Sequence, residues 1–336
     1  MKGKNTNNYV SLTLQNKDQI LALEKIPLMK SLIFPFVISI FFLQLASCRQ
    51  SEKNNLTNTN TDSVQTTAKP EIAGLYDLAH PLRKWRLPEE LLEISGNSYI
   101  DSNHLMVIED LHPNLYVIGL KDTSADIDKK IAFKEDPSGK KFDVEDVVLV
   151  NNTAYALWSH GSIYKITDWQ TKPQVKEIKT FLSKENNTEG ICYDPVTKSI
   201  LIACKNDIAQ ADEKKSTRGI YQFNMTTDSV NEAPFMVIHK KDFKELTGEK
   251  ESFYPSAIAV HPISHDIYIL STKETKCMAV FSHDGSLKNF QLIDRNILLQ
   301  PEGICFAPDG TLYISTEGKP GGSGFIYAYK MAKQRK

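Results

Sequence analysis

Three glutamates stand at matching places in repeated sequence phrases, and this spacing suggests a shared site. Glu145, Glu189 and Glu302 each come just before a short run of β-type residues. If such runs surround one axis, the carboxylates meet at one opening, where their pKa values rise or a cation neutralises them. Oxygen ligands without Cys or clustered His favour a hard cation such as Ca²⁺ over Zn²⁺. The three glutamates are therefore the predicted metal ligands, with Ca²⁺ as the predicted ion.

Other charged side chains occupy places that should lie at the same opening. In a sheet of up-and-down strands, the start of the first strand and the end of the second fall at the same end. At these places we predict the following ligand-binding residues: Glu93, Glu109, Glu145, Asp146, Lys205, Lys273 and Glu317. An alternative role exists for each carboxylate, because buried polar groups are usually hydrogen-bonded. It would accept backbone N–H groups of a neighbouring sheet and fasten the two sheets together, and the two roles can coexist.

The element that would position these side chains is a β-hairpin. The runs Gly303–Phe306 and Leu312–Ser315 are rich in strand formers, and Ala307–Gly310 is typical of the turn between them. Related phrases occur at four earlier places: Glu93–Ile100, Glu145–Val150, Thr188–Ala203 and Pro255–Leu270. The residue that leads each phrase recurs about every 52 residues, a period typical of four-stranded propeller blades.

The repeats predict an all-β fold, a five-bladed β-propeller, with six blades as the alternative. The last repeat supplies only three strands, ending at Phe325–Tyr329, and the run near Leu82–Leu87 would add the missing outer strand and close the ring. A sandwich of two sheets also fits regularly spaced short strands, but it does not explain the repeated phrase. The long third repeat would carry loop or short-helix insertions at Asp207–Arg218 and Lys240–Ser252.

The N-terminal region has the layout of an export signal. Residues 1–28 are polar and unpatterned, and we interpret them as an upstream extension before the true start at Met29. The apolar run Leu32–Leu43 is short for a membrane span, and the small residues after it lead to Cys48, as in the bacterial lipoprotein box. Residues 29–48 are therefore a predicted lipoprotein signal peptide, and lipid on Cys48 would anchor the exported protein in the bilayer of the cell membrane or envelope. An ordinary membrane anchor with an incidental Cys is the alternative.

The rest of the chain divides into a linker and one large domain. Residues 49–71 are rich in Asn, Thr and Ser, which predicts a flexible polar tether, and residues 72–330 form the predicted propeller. A net charge of −1 gives no field that would recruit nucleic acid. The four other cysteines form no Cys-x-x-Cys pair, so we expect them to be buried as small apolar side chains.

Taken in order, the repeated phrases resemble the SdiA-regulated (YjiK/CarP-like) β-propeller family from about Tyr76 to Tyr329. The matching phrases are Glu93–Gly96, Asp143–Val147, Glu189–Ile191, Pro255–Ile258 and Pro301–Ile304. The resemblance implies a membrane-associated propeller of the cell envelope, linked in some members to calcium, with no settled catalytic activity. One departure is Asn97, which follows Gly96 where the family usually has an apolar residue, so the register of the first blade stays open.

These observations leave different classes of function open. The leading prediction is a membrane-anchored, non-catalytic propeller that binds a small ligand, an envelope protein or a divalent cation at the acidic opening. The alternative is a metal-dependent hydrolase of the lactonase or phosphoesterase type. There, Glu189 and Glu302 would hold the cation, a neighbouring carboxylate would act as base, and the lysines would stabilise negative charge. A weaker third possibility is a lid on another envelope complex, formed by Asp207–Arg218.

Overall fold

A computed structural model describes residues 76–135, 141–206, 208, 217–239, 242–243 and 253–331. These residues include 21 β-strands and one short 3-10 helix, Glu89–Leu91. The predicted signal peptide with Cys48, the predicted tether and most of the two predicted insertions lie outside the described residues. Across the described ranges, no helix is both long and apolar enough to cross a membrane.

The strands form five antiparallel sheets, one for each blade. Blade 1 contains β2 (Ile94–Asp101), β3 (His104–Glu109), β4 (Asn114–Leu120) and β5 (Ala125–Ala132). Blade 2 contains β6 (Val144–Val150), β7 (Thr153–Trp158), β8 (Ile163–Thr167) and β9 (Gln174–Ile178). Blade 3 contains β10 (Thr188–Asp194), β11 (Ser199–Cys204), β12 (Thr217–Asn224), β13 (Ser229–Val230) and β14 (Met236–His239). Blade 4 contains β15 (Pro255–Val260), β16 (Ile267–Ser271), β17 (Cys277–Phe281) and β18 (Leu287–Leu292).

Blade 5 is built from both ends of the described chain. It combines β19 (Pro301–Phe306), β20 (Leu312–Thr316) and β21 (Phe325–Tyr329) with β1 (Arg83–Arg86). Strand β1 pairs antiparallel with β21, so the predicted closing strand is confirmed. The five-bladed prediction is correct, and the six-bladed alternative is not. The last two residues of the predicted insertion 207–218 belong to β12.

The core lies between neighbouring blades, in five apolar clusters that each join two sheets. Side chains alternate along most inner strands, so each strand contributes to the clusters on both of its sides. Tyr76, just before β1, is fully buried between blades 4 and 5, and its hydroxyl donates to the Gly310 carbonyl at 2.6 Å. The four cysteines of the described region are buried, as the sequence predicts.

The inner strands approach one another closely around the axis, which explains the glycines of the repeated phrase. A Cβ on Gly96 would lie 2.3 Å from Oδ1 of Asp146 in blade 2. A Cβ on Gly303 would lie 2.9 Å from Nδ2 of Asn97 in blade 1. Gly96 and Gly303 therefore occupy the same place in their blades, and this equivalence fixes the register of blade 1 despite the unusual Asn97.

Candidate functional site

Each of the five inner strands carries a β-bulge at the residue that leads its repeated phrase. The ladder between the first and second strands shifts register there in every blade. The bulged residues are Ser95, Glu145, Glu189, Ser256 and Glu302. A bulge leaves one residue out of the ladder and turns its side chain away from the regular alternation. All five of these residues line a single cavity. In each blade the bulge therefore directs a polar side chain toward the axis.

The cavity has a volume of about 240 Å³ and lies at one mouth of the central channel. Its wall carries six acidic side chains and two lysines, Lys141 and Lys205. The acidic residues are Asp110, Asp143, Glu145, Glu189, Glu302 and Glu317. The structure thus places four of the predicted glutamates and one of the predicted lysines in one cavity. We call this cavity the acidic mouth.

Burial perturbs the carboxyl groups of the acidic mouth. It raises the pKa of Glu302 to about 7, an effect strengthened by Glu189 and opposed by Lys205. Burial also raises the pKa of Glu317 to about 8, with Glu302 and Glu93 adding repulsion. The pKa of Glu145 is raised well above its usual value, first by burial and then by Glu189. The mouth therefore resists carrying its full negative charge unless positive charge is supplied.

Lys205 supplies part of that positive charge. Its Nζ donates to Oε2 of Glu189 at 2.9 Å, and Asn187 donates to the other oxygen of the same carboxylate. Burial acts to lower the pKa of Lys205, but the attraction of Glu189 and the other carboxylates outweighs it and leaves the pKa raised. Burial raises the pKa of Glu189, whereas Lys205 and Asn187 oppose this rise. Glu189 is therefore already partnered by two donors.

A second group of carboxylates is more tightly clustered. Oxygens of Glu93, Asp110 and Glu317 all lie within 4.8 Å of one another, which is close enough to share a metal ion. Asp110 is buried, and its Oδ2 pairs with Lys141. Its Oδ1 is also buried and has no hydrogen-bond partner. A buried acceptor without a partner is costly, and a cation bound beside it would satisfy that acceptor.

This acidic triad of Glu93, Asp110 and Glu317 differs from the metal ligands predicted from the sequence. Glu93 and Glu317 were among the predicted ligand-binding residues, as was Glu109, the neighbour of Asp110, but Asp110 itself was not. The set Glu145, Glu189 and Glu302 lines the same mouth and stays a prediction. In the part of the chain that the structure describes, the triad is the group of three acidic residues close enough to share an ion.

A comparison with protein families assigns the chain to one of them. A family model described as SdiA-regulated matches residues 93–321, from the glutamate of the triad in blade 1 to the loop after β20. The chain belongs to the SdiA-regulated family. No curated protein matches this SdiA-regulated propeller significantly.

Several solved structures are similar to this SdiA-regulated propeller in fold. Glutaminyl cyclase from Myxococcus xanthus is 12% identical, with a TM-score of 0.51 over 76% of this chain and 97% of that chain. A gluconolactonase from Xanthomonas campestris is 12% identical, with a TM-score of 0.41 over 71% and 86%. Virginiamycin B lyase from Staphylococcus aureus is 14% identical, with a TM-score of 0.40 over 70% and 67%. At such low identity these likenesses concern the fold alone.

Three predicted site residues of the SdiA-regulated propeller lie away from the acidic mouth. Asp146 is 1% exposed, and its two oxygens accept the N–H groups of Val147 at 2.8 Å and Ile191 at 2.9 Å. It therefore fastens blade 2 to blade 3, which is the alternative role considered for each carboxylate. Glu109 accepts the N–H groups of Leu111 and His112 and shapes the turn after β3. Nζ of Lys273 lies 4.8 Å from the ring centre of Tyr254.

Proposed function

We propose that this protein is a membrane-anchored propeller of the cell envelope that binds a hard divalent cation, Ca²⁺ in the first instance, without catalysis. The observation that carries the proposal is the unpartnered Oδ1 of Asp110, which is buried and belongs to a group of three carboxylates within 4.8 Å of one another. Carboxylate oxygens are the donors that Ca²⁺ and Mg²⁺ prefer, and the triad offers neither Cys nor His. These residues therefore fit such an ion.

Cation binding would also relieve the electrostatic strain of the mouth. Glu317, with a pKa of about 8, is mostly protonated at neutral pH, and a bound cation would favour its ionised form. Binding should then release protons and become tighter as pH rises. Lys141 pairs with Asp110, so an incoming ion would either displace its ammonium group or bind beside it.

The anchoring part of the proposal is supported by the sequence. Cys48 follows a short apolar run and small residues, as in a lipoprotein signal peptide. Stable anchoring requires two or more acyl chains, which lipid modification of an N-terminal Cys would provide. The proposed location is thus an envelope membrane, with the propeller held on its tether.

A metal-dependent hydrolase is the second candidate, and one observation favours it. Glu302 has a pKa of about 7, which is suited to a general base or acid near neutral pH. Lys205 lies in the same mouth and would stabilise developing negative charge. Turnover of a panel of lactones and phosphoesters by the metal-loaded protein, lost in Glu302→Gln, would favour this candidate over simple binding.

Thermal unfolding of the full-length protein in detergent tests the proposed cation site. Because a ligand that binds only the folded state raises Tm by mass action, Ca²⁺ should raise Tm by several degrees at millimolar concentration. Asp110→Asn should lose this shift while folding normally, since it removes a crowded negative charge. Asp122→Asn, at an exposed aspartate, is the matched control and should keep the shift.

The outcomes separate the possible roles of the mouth. No shift with Ca²⁺, Mg²⁺ or Mn²⁺ in the wild-type protein contradicts cation binding altogether. A shift that survives in Asp110→Asn but disappears in Glu189→Gln would move the site to the ligands that the sequence predicted. For the anchor, Cys48→Ala should release the protein from membranes, and a variant that still sediments with them contradicts lipidation.

A further inference from the structure

A larger cavity of about 730 Å³ lies outside the channel, against the outer strands of blade 5. Its wall includes residues of β1 and β21, the loop after β20 and the segment before β19. Glu317 lines this cavity as well as the acidic mouth, so the two cavities share a wall. Three cationic side chains line it, Lys84, Arg86 and Lys319, and we call it the basic groove.

Two of the three cations are held in place by uncharged partners. Nζ of Lys84 lies 3.9 Å from the ring centre of Phe325 and 5.1 Å from that of Tyr327. Nε of Arg86 donates to Oγ of Ser323 at 2.7 Å, which leaves its terminal nitrogens for other acceptors. These contacts orient positive charge without neutralising it.

Among the residues that line the basic groove, positive charges outnumber negative ones, although Arg86 also borders a neighbouring cavity whose wall carries Glu89 and Asp126. Elsewhere in the described structure many lysines form ion pairs with carboxylates, but Lys84, Arg86 and Lys319 form none with described residues. The carboxyl group that lines the groove is that of Glu317, and it clusters with Glu93 and Asp110 at the mouth. Three cations thus face one carboxyl group that is shared with the neighbouring site.

We propose that the basic groove binds an anionic ligand through carboxylate or phosphate groups, beside the cation site of the acidic mouth. An arginine with free terminal N–H groups matches the geometry of such oxyanions, and lysines add charge without strict geometry. The shared wall at Glu317 would let one ligand contact the groove and the bound cation together. That last step rests on the proposed cation binding, whereas anion binding by the groove does not.

Anion binding can be measured without metal. Full-length protein in detergent and metal-free buffer is titrated with pyrophosphate and with citrate, which distinguish phosphate from carboxylate recognition. We expect at least one of them to bind, with affinity that falls as salt is added, because the contacts are exposed charges. The double variant Arg86→Gln and Lys319→Gln should bind at least tenfold more weakly.

A matched control excludes an effect of net charge. Lys172→Gln with Lys184→Gln removes the same charge from two exposed lysines outside both cavities and should bind like the wild type. Equal loss in both double variants, or no binding of either anion, overturns the proposal. The groove variant should keep its Tm shift with Ca²⁺. If the wild-type protein binds the anion but shows no Tm shift with Ca²⁺, the cation site is contradicted and the anion-binding groove is supported.

Discussion

Glu302 shows how burial sets the behaviour of a single carboxyl group at the mouth. Its pKa of about 7 lies well above that of an exposed glutamate, because burial and Glu189 disfavour the charged form more than Lys205 and Lys276 favour it. Thr272 donates a hydrogen bond to it and opposes the rise. In the unfolded chain the same group titrates at an ordinary pKa, so folding and protonation are linked.

This linkage predicts that the metal-free protein loses stability as pH rises. Between pH 4.5 and 7 the folded state holds the Glu302 proton more tightly than the unfolded state does, so the stabilisation is complete at low pH and is lost as pH rises through 7. The loss from this one group is at most about 3 kcal/mol. Urea unfolding of the wild type at pH 5, 6, 7 and 8 should show the decline.

Glu302→Gln isolates the contribution of that carboxyl group. The variant should decline less than the wild type and be the more stable of the two at pH 8, whereas Glu185→Gln, at an exposed position, should match the wild type. Identical pH profiles for the wild type and Glu302→Gln would show that the group is already ionised in the folded state. Saturating Ca²⁺ should flatten the wild-type profile, since it favours ionised carboxylates.

At the scale of single elements, the β-bulge separates residues that the sequence could not separate. Glu145 and Asp146 are neighbours, and both were predicted to bind a ligand. The bulge in β6 turns Glu145 into the acidic mouth, while Asp146 points into the seam with blade 3. The sequence contains the repeated phrase but not the extra residue in the ladder, which arises only when two strands pair.

The glycine after the bulge is required by the close packing of inner strands. A Cβ on Gly303 would lie 2.3 Å from Oγ of Ser315 and 2.9 Å from Nδ2 of Asn97. These distances are too short, so either the backbone at residue 303 or the neighbouring side chains would have to shift. Gly303→Ala should therefore lower the free energy of unfolding by about 1–3 kcal/mol, the usual cost of overpacking. Urea unfolding measures the change.

Ala257 provides the matched comparison, because it holds the equivalent place in blade 4 with a Cβ already accommodated. Ala257→Gly should cost about 1 kcal/mol, chiefly from backbone freedom in the unfolded chain. If Gly303→Ala were as stable as the wild type, close packing would not be the reason for the glycine.

At the scale of the whole molecule, the sequence predicted the ring but not the distances across it. The period of the repeats and the missing outer strand were enough for five blades closed by β1. The acidic triad brings Glu93 and Asp110 of blade 1 against Glu317 of blade 5, far apart along the chain. Which side chains meet there depends on the angle between blades and on the buried side chains that set it, and no sequence period encodes these.

The two mouths of the channel differ in polarity. The mouth opposite the acidic one opens into a cavity of about 270 Å³ with a largely apolar wall that includes Tyr99, Tyr193 and Phe306. The described chain enters at this end of the propeller, since Tyr76 bridges to Met331 and its hydroxyl bonds to Gly310 in the turn between β19 and β20. Tyr76, the first described residue, therefore lies on the side away from the acidic mouth.

With the proposed lipid anchor upstream of Tyr76, this position predicts the orientation of the protein on a membrane. Blade 3 offers two exposed positions at opposite ends of β10, Glu185 beside the acidic mouth and Val196 in the turn at the apolar end. In vesicle-anchored protein, maleimide should label Glu185→Cys as fast as in detergent and Val196→Cys more slowly, because the proposed anchor would keep the end that carries Tyr76 nearer the bilayer. The native cysteines of the described region are buried and should add little background. Cys48→Ala should remove the difference by releasing the protein, and protection of Glu185→Cys instead would mean that the acidic mouth faces the membrane.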